Sequence, residues 1–323
     1  MIVTEFDGPV WLPTDPPSLV SYLAPTLQPI PLLPAVGIVL ALLYVSGVVR
    51  LARAGRRWSY GPTASFLAGC ALLVVVTGAG IEGYGYEMFS VFMFQQLTLM
   101  MAIPPLLVLG RPGTLLLRAV PHGRVGRVVL LSARRALRSM PARVALHPGF
   151  TIPLFLLSFY GLYLSDFAAW ALASWGGHIA LEVTFLVAGV LFTAPVLSTD
   201  PLPLAQGHAG RAADMIVEMP LHAFFGVIVM MATRPLIGAF THPPASWGVD
   251  LVADQGVAGG LAWSYGELPS LIVLLIIFAR WQRDDAHRAQ SADRDIDLHG
   301  NAELDAYNAY LESLDRRRPG AQA

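Results

Sequence analysis

Residues 32–49 read LLPAVGIVLALLYVSGVV, and residues 50–57, which follow directly, read RLARAGRR. The first stretch is uncharged over a length close to the roughly 20 apolar residues that cross a hydrocarbon core. The second carries Arg50, Arg53, Arg56 and Arg57 and no acid. An apolar run closed by a basic flank is the pattern of a spanning helix and its connection. The rest of the chain repeats it. Of 323 residues, 55% are hydrophobic and 13% charged, against roughly 25% charged in soluble domains. Mean hydropathy is +0.57. This composition excludes disordered and ordinary cytosolic classes and predicts an all-α, polytopic, multi-pass membrane bundle.

Seven segments are apolar enough to span: Leu32–Val49, Thr63–Ile81, Met88–Leu109, Phe150–Leu164, Ile179–Leu197, Met215–Thr233 and Val257–Phe278. The Pro104–Pro105 pair is expected to kink or end the third. The charge total, 21 basic against 22 acidic residues, conceals the distribution that orients them: every base is arginine. The first connection and the third, Arg111 to Arg143, are acid-free and arginine-rich, hence cytoplasmic by the positive-inside rule. Glu5, Asp7 and Asp15 in the N-terminal arm, Glu82 and Glu87 in the second connection, and Asp166 in the fourth fall outside by alternation. So do Asp250 and Asp254 in the sixth, which opens with Arg234. Seven spans then place the N-terminus outside and the C-terminus inside. The expected organisation is an extracytoplasmic arm (1–30), a seven-helix domain (31–280) and a charged cytoplasmic tail (281–323). A short amphipathic helix is expected in that tail over Ala302–Leu314. Residues 1–20 lack a basic start and an apolar core, so the first span is expected to serve as its own insertion signal.

Ionisable groups inside spans are costly and usually face the bundle interior. His178 and Glu182 stand four apart on the fifth span, and Met215, Glu218, Met219 and His222 form a stripe on the sixth. Glu267 lies near the middle of the seventh, Asp254 near its start, and Met93 and Gln96 on the third. Imidazole, carboxylate and thioether groups converging in a bundle suit copper, particularly Cu(I). The candidate ligands are His178, Glu182, His222, Met219 and Met93, with Gln96, Glu218, Glu267 and Asp254 as further intramembrane polar groups. Each also has a bland reading, since methionine in a span is usually packing and buried carboxylates can join helices by hydrogen bonds. Cys70 is the only cysteine, so no disulfide or thiolate pair exists. No phosphate loop, HExxH or nucleophile motif is present, and a non-enzymatic role is expected. The arginine-rich third connection needs only lipid headgroups to explain it, not nucleic acid.

Five ordered blocks carry a family resemblance: YVSGVVRLARAGRRWSYGPTASFLAG from Tyr44, MFSVFMFQQLTLMMAIPPLLVLGRPGTLLLRAVP from Met88, HIALEVTFLVAGVLFTAPVLSTDPLP from His178, MPLHAFFGVIV from Met219 and DQGVAGGLAWSYGELPSLIVLLIIFARWQRDDAHRAQSADRD from Asp254, followed by AYNAYL in the tail. The chain resembles the CtaG-like integral-membrane proteins of cytochrome c oxidase assembly, in their actinobacterial form. That resemblance implies copper delivery to, or maturation of, a haem–copper oxidase in the bacterial cell membrane, with oxidase subunits as partners. It also exposes departures. Where the family typically shows HMxQH in the third span, this chain has Phe92-Met93-Phe94-Gln95-Gln96, so both histidine positions are lost. Where it often shows HxxxEH in the fifth, His178 and Glu182 stand but Val183 replaces the last histidine. Two accounts follow: a metal held by the remaining donors, or a scaffold that has dropped copper. A transporter of copper or another small solute along the polar track, and a metal-free structural subunit of a respiratory complex, are the alternatives.

Overall fold

Apolar runs of this length satisfy their backbone polar groups in a bilayer only by closing them into helices. The computed structural model describes residues 8–120, 123–202, 206–299 and 302–316, and among them every regular element is a helix. Helices α1 (Leu32–Arg53) and α2 (Tyr60–Gly78) flank the first arginine connection. A short α3 (Ile81–Gly85) leads to α4 (Phe89–Leu97), which runs through a π-helical turn, Thr98–Ala102, into α5 (Ile103–Leu109). The π turn lies directly before Pro104 and Pro105, whose missing N–H groups break the ordinary ladder there. Next come α6 (Pro112–Ala119), α7 (Arg124–Arg138) and α8 (Pro148–Leu156), the last continued by a π turn, Leu157–Gly161. Then follow α9 (Trp175–Leu197), α10 (His208–Met231), α11 (Leu251–Ser264), α12 (Glu267–His299) and α13 (Ala302–Arg316).

Among the described residues six helices, not the expected seven, are long and apolar enough to cross a membrane: Leu32–Arg53, Tyr60–Gly78, Phe89–Ala119, Trp175–Leu197, His208–Met231 and Leu251–Leu298. The expected fourth span is the shorter apolar helix Pro148–Gly161. At 1.5 Å per residue it covers only about 21 Å of a hydrocarbon core about 30 Å thick. Opposite sides for the two termini therefore do not follow from helix length alone. Glu5 and Asp7 of the arm lie outside the described residues.

The third span is the centre of the bundle. Inside the molecule it buries 72% of its apolar window, whereas the first buries 28% and forms the rim. Around it, α2 and α9 pack on α5, α11 packs on α4, and α8 packs on α9 and α10. Helices α10 and α11 pack backbone to backbone. A Cβ on Gly226 would fall 2.6 Å from the Trp263 nitrogen, and one on Gly259 would fall 2.4 Å from that of Met230. Only glycine permits this backbone-to-backbone packing. The chain divides after Leu275 into two units. The second unit holds the end of α12 and α13, which leaves Tyr307, Tyr310, Leu311 and Leu314 exposed.

Candidate metal centre

Helix α9 starts sharply because Ser174 caps it, its hydroxyl accepting from the Gly177 N–H at 3.1 Å. One turn in comes His178, and one turn further Glu182, on the same buried face. Opposite them stands a residue from another element, Glu82 of the short α3. One ligating atom from each of Glu82, His178 and Glu182 lies within 4.8 Å of the other two, and all three side chains are buried. Among the described residues they form the one compact group of potential His, Cys, Asp and Glu ligands.

Glu82 and His178 are held from behind. The Gln95 amide donates to Glu82 Oε2 at 2.7 Å and to the Val76 carbonyl at 3.0 Å. This leaves Glu82 Oε1 turned toward His178 Nε2, 3.5 Å away. The Tyr86 ring stacks on the imidazole at 3.8 Å and 12°, and the Phe92 ring closes another side at 5.3 Å. Both nitrogens of His178 and both carboxylate oxygens of Glu182 are buried without a hydrogen bond. Buried polar atoms in that condition are rare and costly. With the imidazole neutral and both carboxylates ionised, the cluster carries two negative charges, which two protons or one dication would neutralise. Burial, then the carboxylates of Glu82 and Glu182, push the Tyr86 phenol above its ordinary range, so it stands as a neutral wall.

The other expected residues are distributed elsewhere. His222 falls outside the compact group. Its Nδ1 lies 2.8 Å from Glu218 Oε1 and its Nε2 3.8 Å from Glu267 Oε1, so its two nitrogens face different carboxylates. The buried face of α10 carries Met215, Glu218 and His222, while Met219 is only half-buried. Met93 is fully buried, but it follows Phe92 on the helix and so points about 100° away from the direction of His178. Gln96 is tied down, donating to the Ser158 carbonyl at 2.8 Å and accepting from the Tyr163 hydroxyl. Asp254 is a long-range helix cap: it accepts from the Phe89 N–H at 2.8 Å, the Ser90 N–H at 3.3 Å and the Ser90 hydroxyl, closing the start of α4.

The three lost histidine positions separate in the same way. Phe92 abuts His178, so a histidine there would bring a second imidazole to the cluster. Val183 is 41% exposed on the outside of α9, and its side chain leaves the cluster untouched. Sequence reading missed Glu82, which looked like an acid of an outer connection. The available signal was its glycine-rich setting, Gly80, Gly83 and Gly85. A Cβ on Gly85 would fall 1.8 Å from Gln95 Oε1, so the connection must be this bare to tuck against the third span.

Residues 42–284 match the family of cytochrome c oxidase caa3 assembly factors. Uncharacterized proteins of Mycobacterium bovis and Mycobacterium tuberculosis are each 38% identical over 295 residues, covering 89% of this chain and 44% of the relative. One from Mycobacterium leprae is 36% identical over 293 residues with the same coverages. The chain thus spans less than half the length of these relatives. No solved structure matches it. The chain belongs to the caa3 assembly-factor family.

Proposed function

We propose that this member of the cytochrome c oxidase caa3 assembly-factor family handles copper for the oxidase, holding it as a divalent ion between Glu82, His178 and Glu182. One observation carries the reading: three buried donors from two elements converge within 4.8 Å and leave two carboxylates and an imidazole without a full set of partners. The donor set also selects the ion. Two hard oxygens and one borderline nitrogen suit Cu(II), which heads the affinity order of the divalent first-row metals, with Zn(II) as competitor. They suit Cu(I) poorly, because that ion favours thioether and thiolate. Copper here is cargo, and the partners are oxidase subunits in the same membrane. The chain itself performs no bond-making step in this reading: α9 and α3 supply the ligands, Gln95 orients one of them, and Tyr86 and Phe92 keep water off the imidazole.

The test is elemental analysis of the purified protein after loading with Cu²⁺ and gel filtration. About one ion per chain is expected, lost in both His178→Ala and Glu82→Gln. Equal metal content in native protein and both variants, or none in any of them, would refute the reading. Copper uptake into vesicles that requires His222 and Glu267 but neither Glu82 nor His178 would favour the transporter instead.

A further inference from the structure

The arginines that oriented the sequence have a second consequence in three dimensions. Arg56 Nη1 donates to the Arg118 carbonyl at 3.0 Å, and Arg118 Nη2 donates to the Arg57 carbonyl at 3.4 Å. The first and third connections, far apart in sequence and both free of acids, therefore meet on one side of the bundle. Among the described residues, none of their arginines is ion-paired with an acid. Asp200, a carboxylate that reaches this region, is occupied by the N–H groups of Gly113 and Thr114 at 2.8 Å each. Guanidinium groups gathered in this way attract an anion.

Two further features give that anion a form. Beside the arginines, α1 and α6 enclose a groove of about 360 Å³, apolar along Leu40, Leu43, Leu115 and Leu116, with Arg50 among its lining residues. Trp58 and Tyr44 mark its level: the indole N–H donates to the Tyr44 hydroxyl at 3.2 Å, and Arg118 lies over the Trp58 ring at 5.5 Å. Tryptophan and tyrosine collect at the headgroup level of a bilayer. The second feature is α7. At 100° per residue, Arg124, Arg127, Arg134, Arg135 and Arg138 share one face, interrupted by Leu131, while Val129, Ala133 and Leu137 share the opposite one. Val129 and Leu137 on that apolar face are exposed, whereas Gly126 near the helix start is buried, so protein covers the face only in part. Helices of this pattern lie in the membrane interface, apolar face down. Near both ends of α7 the chain returns to apolar helices, α6 and α8, which keep it at that level.

We propose that the arginines of the two connections that meet here form a binding site for anionic phospholipid, with an acyl chain in the α1–α6 groove and the phosphate at the guanidinium groups, Arg50 first. The apolar groove supplies what a free phosphate cannot use. The unpaired arginines supply what a zwitterionic lipid satisfies only in part.

Brominated lipids test it, because bromine quenches nearby tryptophan. The protein is reconstituted in phosphatidylcholine vesicles carrying brominated phosphatidylglycerol or brominated phosphatidylcholine, and Trp58 is assigned by a Trp58→Phe control. Preferential quenching by phosphatidylglycerol is expected, falling in high salt as exposed charges are screened. A triple variant, Arg50→Gln, Arg53→Gln and Arg57→Gln, should weaken the preference about a hundredfold, as three contacts of about 1 kcal/mol each imply. Arg50→Gln should weaken it by about fivefold on the same scale. Leu116→Phe fills the groove without touching a charge and should displace the acyl chain. Equal quenching by both lipids, or a preference unchanged in all these variants, would overturn the proposal. So would full competition by inorganic phosphate or by an oligonucleotide, since either would show the arginines acting without the groove. Copper stoichiometry in the variants is expected to stay native, which separates this site from the metal centre.

Discussion

Glu82→Gln removes one of two carboxylates whose oxygens stand within 4.8 Å of each other, and its effect should change sign with the metal. Two ionised carboxylates no more than 4.8 Å apart would repel by at least about 3 kcal/mol at an effective dielectric of about 20, a cost that the metal-free pair bears either as repulsion or as uptake of a proton. Glutamine is isosteric and still offers an oxygen to Gln95, so the 2.7 Å hydrogen bond survives. The variant should therefore unfold several degrees above the native chain when metal is absent. With Cu²⁺ or Zn²⁺ present the order reverses, because the buried dication loses a charged partner. Breaking a buried charge pair costs about 3–5 kcal/mol, or at least about a hundredfold in Kd. Thermal unfolding of detergent-solubilised protein, metal-free and metal-loaded, reads both signs, and titration calorimetry reads the affinity. A purely structural Glu82 would lower the melting temperature equally in both conditions and leave metal binding alone. That result would refute the reasoning.

Phe92→His should return an imidazole to the wall of the cluster, 5.3 Å from the His178 ring. It is expected to tighten divalent-metal binding about tenfold or more, measured by competition with a chelator; weaker binding would show that the ring at this position does not reach the ion. Val183→His, on the exposed side of α9, should leave affinity within experimental error. A gain from it would mean that the helix presents a different face. Asp254→Ala removes three hydrogen bonds at the start of α4 and should destabilise the protein by about 2 kcal/mol with unchanged metal stoichiometry. Metal loss with an unaltered melting temperature would instead make Asp254 a ligand.

How much of this was legible beforehand depends on the kind of question. Hydropathy and charge are sums along the chain, so membrane class, helical content and the two arginine connections could be read from residues such as Leu32–Val49 and Arg50–Arg57. The i, i+4 spacing likewise gave the shared face of His178 and Glu182, because helix geometry is local. The fourth segment, expected over Phe150–Leu164 and the shortest of the seven, forms a helix from Pro148, but one too short to count as a span by length alone.

Which donors meet was beyond the sequence. That depends on how each helix is rotated about its axis and how closely its neighbours approach. Bare backbones set those distances at Gly226 against Gly259 and at Gly85 against Gln95. Packing brought Glu82 in from a connection, set the far nitrogen of His222 toward Glu267, turned Val183 outward and gave Asp254 the task of capping a helix. The sequence by itself determined which groups the membrane would have to accommodate. Only the tertiary structure decided which of them share a site, because a ligand set is a matter of ångströms across helices and not of spacing along one.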